Sequence, residues 1–277
     1  METWATLSIT DHRKPIYRQA LALFDKIVVP IPSSPIGDQT TEELDQLEAD
    51  VAFLEQSGAA RRYEWDPKEY IEWRSPLMAE ALARGVRRDA YMDTRFMLAK
   101  KMTTDDVEAV PVYGNMATYG TVRGEMGVVN WGAVNEALTV EIAQILPVPD
   151  HDTALADLIR MREGAAFQQA MKDLNEWKYV RIPAILLAPN HEAELRRAIQ
   201  DFNEMAGKYK AAMKEQQRST LVKVLSIVVS AATGDAIGAI KEGATWINES
   251  RTPRWMELAE RKYAPGGVVY QFEEAVH

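Results

Sequence analysis

The chain of 277 residues is 47% hydrophobic and 26% charged, with 15 glycines and 13 prolines, a balance that excludes a disordered, fibrous or low-complexity protein. Its net charge is −9, and basic residues cluster only in pairs such as Arg61-Arg62, Arg87-Arg88 and Lys100-Lys101. No nucleic acid partner is therefore expected, nor polybasic attraction to a membrane. With no cysteine, the chain has no disulfide, thiolate zinc site, iron–sulfur cluster or cysteine nucleophile.

Met1 to Ile9 lacks a basic segment followed by an apolar one, and residue 2 is Glu. No signal peptide or lipid anchor is expected, and the expected location is cytoplasmic.

The first 65 residues alternate between strand and helix. Trp4–Ile9 suits a strand, and Ile16, Ala20, Leu23 and Phe24 share one helical face. Ile27–Ile31 is β-branched, and Pro30 places it at a strand end or a sheet edge. Thr40 and Glu43 form a capping-box pair ahead of Leu44, Leu47, Val51 and Leu54, with Gly58 as the stop. Arg61–Trp65 follows as a strand, completing an α/β unit.

Asp66, Pro67 and Glu69 start the next helix; Pro76 is expected to break it, with Ser75 capping its successor. Arg87–Met102 reads as a helix, and Val107–Tyr113 as an edge strand containing a proline. Residues 114–132 carry five glycines and little pattern. Val134, Leu138, Ile142 and Ile145 fit a helix ending before Pro147. Asp152 or Thr153 caps a helical stretch running to about Trp177 with a soft interruption at Gly164. Tyr179–Leu187 holds an apolar run after Pro183. Trp73, Trp131, Trp177 and Trp255 are expected to anchor helix packing.

From Asn190 the pattern is continuously helical. Leu195, Ile199, Phe202, Ala206, Tyr209 and Met213 recur at alternating spacings of four and three, which is heptad spacing. The expected fold is mixed α+β and helix-dominated. It divides into an α/β unit with a helical extension (1–113), a glycine-rich loop with helices (114–189), and a long helix with an apolar hairpin and polar tail (190–277). The last part is expected to form one compact body with the first two.

Leu221–Ile247 is the most unusual segment. Val224–Gly234 is uncharged, about 16 Å as a helix, against a bilayer core of about 30 Å. A stable membrane span is not expected; conditional membrane contact is an alternative. Ser230, Gly234 and Gly238 fall four apart, a spacing that lets a second backbone approach closely.

Signals for catalysis are sparse. The histidines are His12, His151, His191 and His277, no two of them at metal-ligand spacing, so no metal and no cofactor is expected. The glycines at 120, 124 and 127 match neither a dinucleotide fingerprint nor a P-loop, and no nucleophile elbow occurs. Arg123 and Glu125 are the polar side chains of that loop, and Asp150-His151-Asp152 is expected to be a polar turn. Asp11, His12 and Asp25, near strand ends, are the candidate catalytic residues.

The opening W-A-T-L-S-I, the F-D-K-I-V-V-P of Phe24–Pro30 and the I-L-P-V-P of Ile145–Pro149 resemble a family of uncharacterised bacterial proteins. So do the following L-I-R-M-R and A-F-Q-Q-A and the small-residue apolar segment before the tail, Trp255–Tyr270. The resemblance implies a bacterial or phage-related protein and transfers no active site. The expected function is non-enzymatic: a protein partner or self-association in an intracellular assembly. A defence or toxin-like system is one setting for it. Leu195, Ile199, Phe202, Tyr209 and Met213, together with Ser230, Gly234 and Gly238, would make the contacts. The alternative is a hydrolase or nuclease using Asp11, His12 and Asp25, which requires these three to share one cleft.

Overall fold

The computed structural model describes residues 2–84, 94–112, 131–149, 153–232 and 261–276. Four short apolar runs form strands β1 (Glu2–Thr6), β2 (Lys26–Pro32), β3 (Ala60–Trp65) and β4 (Val107–Pro111). They pair entirely in parallel in the order β3-β2-β1-β4. The chain winds outward from β1 to β3 through helices α1 (Pro15–Leu23) and α2 (Thr41–Gln56). It then returns through α3 (Pro67–Arg84) and α4 (Thr94–Met102) to lay β4 beside β1.

Strand side chains alternate between faces. Ala5, Ile27, Val29, Ile31 and Val110 pack with Leu44, Leu47 and Val51 of α2 and Ile16 and Ala20 of α1. Trp4, Val28 and Trp65 point to the other face, where they meet Met97 and Leu98 of α4, with Tyr70 and Trp73 of α3 alongside. The sheet is thus covered on both sides, as parallel sheets require.

β2 is an inner strand rather than an edge, and Pro30 is accommodated by register. Ile27 donates to Ala59 on the β3 side, and Val28 accepts from Leu7 on the β1 side. Pro30 therefore faces β1, two residues beyond the last β1 partner, Thr6↔Val28, and its missing N–H breaks no ladder bond. β4 is an edge strand, as its proline predicts. Part of its outward edge is occupied: Ala109 N–H donates to Thr103 Oγ1 (3.3 Å), Val107 C=O accepts from Thr104 (3.0 Å), and Pro111 has no donor. On the opposite edge, Glu55 takes the outward amide of Arg62 at 2.8 Å. Each of these contacts removes one position at which another strand could pair.

Thr40 caps α2 with the full reciprocal box to Glu43. α3, in contrast, does not break at Pro76. Ser75 does not cap a new helix; its hydroxyl donates to Ile71 C=O at 2.7 Å, within the same one. Of the helix read over Arg87–Met102 the structure describes α4, Thr94–Met102; residues 85–93 lie outside the described residues.

The remaining described elements are helical: α5 (Trp131–Ile145), α6 (Leu155–Glu163), α7 (Ala165–Leu187), α8 (His191–Ala232), a 3-10 turn (Ala264–Gly266) and α9 (Gly267–Val276). Gly164 separates α6 from α7, and α7 runs through Pro183. The helices and the sheet share one core, in which Phe167, Leu174, Phe202 and Phe272 are continuous with Ala5 and Ile27. The expected polar tail is instead a buried helix: Val268, Tyr270, Phe272 and Val276 are all inside.

α8 has 42 residues, about 63 Å of helix. Its heptad face turns inward. Phe202 is fully buried and its ring sits 5.5 Å from that of Trp177, while Leu195 and Ile199 pack on Ile182 and Ile185 of α7. The rings of Tyr209 and Tyr270 pack at 6.0 Å in a tilted arrangement. At Ala206 the returning chain makes its closest approach: a Cβ added to Gly266 would lie 2.5 Å from both Ala206 N and Cα. Only glycine lets two backbones come this close.

Candidate functional site

β1 and β4 are neighbours reached by connections of opposite sense, so the winding reverses between them. In open α/β sheets such a reversal opens a crevice at the carboxyl ends of the strands. Residues 8–14 leave β1 here, and α4 is pinned to it by the Thr6 hydroxyl, which donates to Arg95 C=O at 2.7 Å. Asp11 lies in this region, fully buried. Its Oδ2 accepts from Ser8 N–H (2.7 Å) and Arg95 Nε (2.7 Å); its Oδ1 accepts from Arg95 Nη2 (2.6 Å) and Lys14 Nζ (3.1 Å). Every oxygen is engaged, so Asp11 ties the β1 loop to α4 and offers no basic lone pair to a substrate.

His12, half-buried, donates from Nδ1 to Ile9 C=O at 2.9 Å. Burial holds its pKa below the ordinary histidine range, and the Ile9 contact offsets this only partly. The imidazole is therefore neutral at pH 7, with Nε2 buried and without a partner.

Asp25 is elsewhere. Its amide donates to Thr3 C=O (2.9 Å) and its carboxylate accepts from Thr3 N–H (2.6 Å), at the amino ends of β1 and β2. The length of β1 separates it from Asp11 and His12 by about 15 Å. The three candidate residues do not share a cleft: two sit at one end of the sheet and the third at the other.

Asp25 does line a groove, of about 540 Å³, between the α1–β2 turn and α7. Leu23, Phe24 and Phe167 form its buried floor. Arg162 of α6 lies across it, donating to Leu21 C=O and to Asp25 C=O (2.8 Å), where it satisfies the free carbonyl end of α1. Burial disfavours the guanidinium charge, and Asp25 partly restores it. Lys172, Glu176 and the largely exposed Tyr179 form the α7 rim. Val180 and Leu187 prolong an exposed apolar face along the same helix.

Lys178 lies on the inner side of α7, donating to Thr139 Oγ1 of α5 at 3.1 Å. Burial pulls its ammonium down to about 8, against the opposing fields of Glu108 on β4 and Asp25. Below pH 8 the folded and unfolded chains both carry the proton, so the full desolvation cost is present at neutral pH. Between about 8 and the ordinary value of 10.5 the folded chain loses its proton first, and stability rises with pH. Lys178→Met is expected to stabilise the protein by about 2 kcal/mol at pH 7. The gain should shrink towards pH 10, as read by urea denaturation at the two pH values.

The expected contact residues divide in two. Leu195, Ile199, Phe202 and Tyr209 are not an external interface, because α7, α9 and the 3-10 turn of the same chain occupy their face. Met213 is half-buried one turn further on. Ser230 falls in the last turns of α8, where the structure describes the backbone alone; Gly234 and Gly238 lie outside the described residues. The same holds for the glycine loop with Arg123 and Glu125, for Asp150-His151-Asp152, and for the side chains of Trp131 and Trp255.

Among the described residues no helix is long and apolar enough to cross a membrane, and no group of three or more acidic or histidine side chains is placed to hold a metal ion. No family model, curated protein or solved structure matches the chain. Sequence reasoning missed Arg95, Arg162 and Lys178. Nothing in the local sequence marks any of them, and only the fold brings in Asp11, the end of α1 and Thr139.

Proposed function

We propose that the protein is a non-enzymatic interaction or assembly protein of bacterial type, and that its contact element is the part of the chain between Lys210 and Arg261. One observation carries this reading: the two described stretches that flank this part of the chain are held against each other. Gly266 rests on the backbone of Ala206, Lys208 lies 5.4 Å above the Tyr263 ring, and Lys210 pairs with Glu273 at 2.5 Å. Phe202 before this closure and Val268 and Phe272 after it belong to the shared core. What lies between is the last 22 residues of α8, which hold most of the uncharged run Val224–Gly234, followed by residues 233–260 with Gly234 and Gly238. From Ala206 to Ala232 the helix advances about 39 Å.

A defence or toxin-like setting, with this segment making conditional contact with a membrane, is the form of the proposal that best uses a stretch too short to span a bilayer. Light scattering across a concentration series is expected to show self-association of the full chain, and a monomer at high concentration would refute it. Leakage from anionic liposomes tests the membrane form: the wild type is expected to release dye and Gly234→Leu to release less. Equal inertness of the two would remove that form.

A further inference from the structure

We propose that the groove between the α1–β2 turn and α7 binds an organic anion with an apolar body, such as an amphipathic carboxylate. Its head would meet Arg162 and Lys172, and its body would lie over Phe24, Phe167 and Met171. None of the residues of this site belongs to the assembly element.

Three observations converge. The volume, about 540 Å³, falls in the range of small-molecule sites, roughly 300–1,000 Å³. The floor is apolar and dry: Leu23, Phe24 and Phe167 are each less than a tenth exposed. The charge that has been taken out of water is positive. Arg162 is half-buried and has no carboxylate within 4 Å among the described residues; it gives two hydrogen bonds to carbonyls, leaving three N–H donors of its guanidinium. Lys178, one turn beyond Asn175 of the groove wall, adds a second desolvated cation behind it.

The two acids at the groove, Asp25 and Glu176, are by contrast both exposed, so water screens them, and one oxygen of Asp25 is already bonded to the Thr3 amide. A desolvated guanidinium beside an apolar floor selects a ligand that brings a carboxylate and a hydrocarbon part together, because a bidentate carboxylate supplies what the two carbonyls do not. The carboxyl-end crevice, the usual place for a ligand in such a sheet, has its charged pair satisfied internally.

The test is isothermal titration of the full-length protein with sodium decanoate, below its micelle concentration, and separately with decyltrimethylammonium, which has the same tail and the opposite charge. Saturable one-to-one binding of decanoate is expected, at least tenfold tighter than the cation. Lys172→Glu, at an exposed position, should weaken decanoate several-fold, and Arg162→Met at least tenfold. Met171→Trp, which fills the groove, should abolish binding whether or not the Arg162 variant folds. No saturable binding, equal binding of the two surfactants, or decanoate binding that survives Met171→Trp would each overturn the proposal.

Discussion

Gly266→Ala is expected to destabilise the protein by about 3 kcal/mol, an unusually large cost for one added methyl group. The new Cβ would stand 2.5 Å from Ala206 N and Cα and 2.7 Å from Met205 C. All three are backbone atoms of a helix, so no side chain can rotate away; the 3-10 turn itself has to lift. Lifting it withdraws α9, and with it Val268 and Phe272, which are fully buried. Gly266→Val should release the helix altogether. Hydrogen exchange at the amides of Val268–Val276 would then rise far more than exchange in β1 or β2. Gly207→Ala is the control. A Cβ there meets nothing within 4 Å, and alanine in a helix is favoured over glycine by up to about 1 kcal/mol. If Gly266→Ala proves neutral in urea denaturation, the close approach of the two backbones is wrong.

Arg95→Met is expected to cost about 4 kcal/mol, because it strands a fully buried carboxylate. The arginine provides two of the four hydrogen bonds to Asp11, and the remaining cation, Lys14, is half exposed and 3.1 Å away. Asp11→Asn should be costly as well, since it removes the carboxylate that takes two hydrogen bonds from a guanidinium whose side chain is only 10% exposed. The double replacement is expected to lose much less than the sum of the two, since a buried pair is worth little against its removal as a unit. A double-mutant cycle by chemical denaturation reads this directly, and additive costs would mean that the pair is not coupled.

These two features show where reading the sequence succeeds and where it stops. Local patterns carry over well: β-branched runs became strands, and Thr40 with Glu43 formed the cap that its spacing predicts. The two helix-internal prolines are a different matter. Pro76 has the same local signature whether it starts a helix or sits within one, and the continuous helix here lets Ser75 back-bond to Ile71. The heptad of α8 predicts a packed face without saying against what, and the partner turned out to be α7 and the chain's own C-terminal helix. That helix was hard to see because its apolar run, Val268–Phe272, is short and follows two glycines and a proline, and only Val268, Phe272 and Val276 recur at helical spacing. Asp11 was legible as a strand-end acid, but its arginine lies 84 residues away, and so its role as a tether was not. Asp25 was legible as an acid beside a strand, yet whether a strand end is an amino or a carboxyl end decides which cleft it joins.

The most direct measurement is sedimentation velocity on a chain in which residues 215–260 are replaced by a short glycine–serine linker. Lys208 already touches Tyr263, so about eight linker residues span the gap from Lys214 to Arg261. This shortened chain is expected to melt close to the full-length protein and to sediment as a monomer at concentrations where the full chain associates. Association that persists undiminished in the folded, shortened chain would place the contact surface elsewhere and contradict the role assigned to the segment between Lys210 and Arg261.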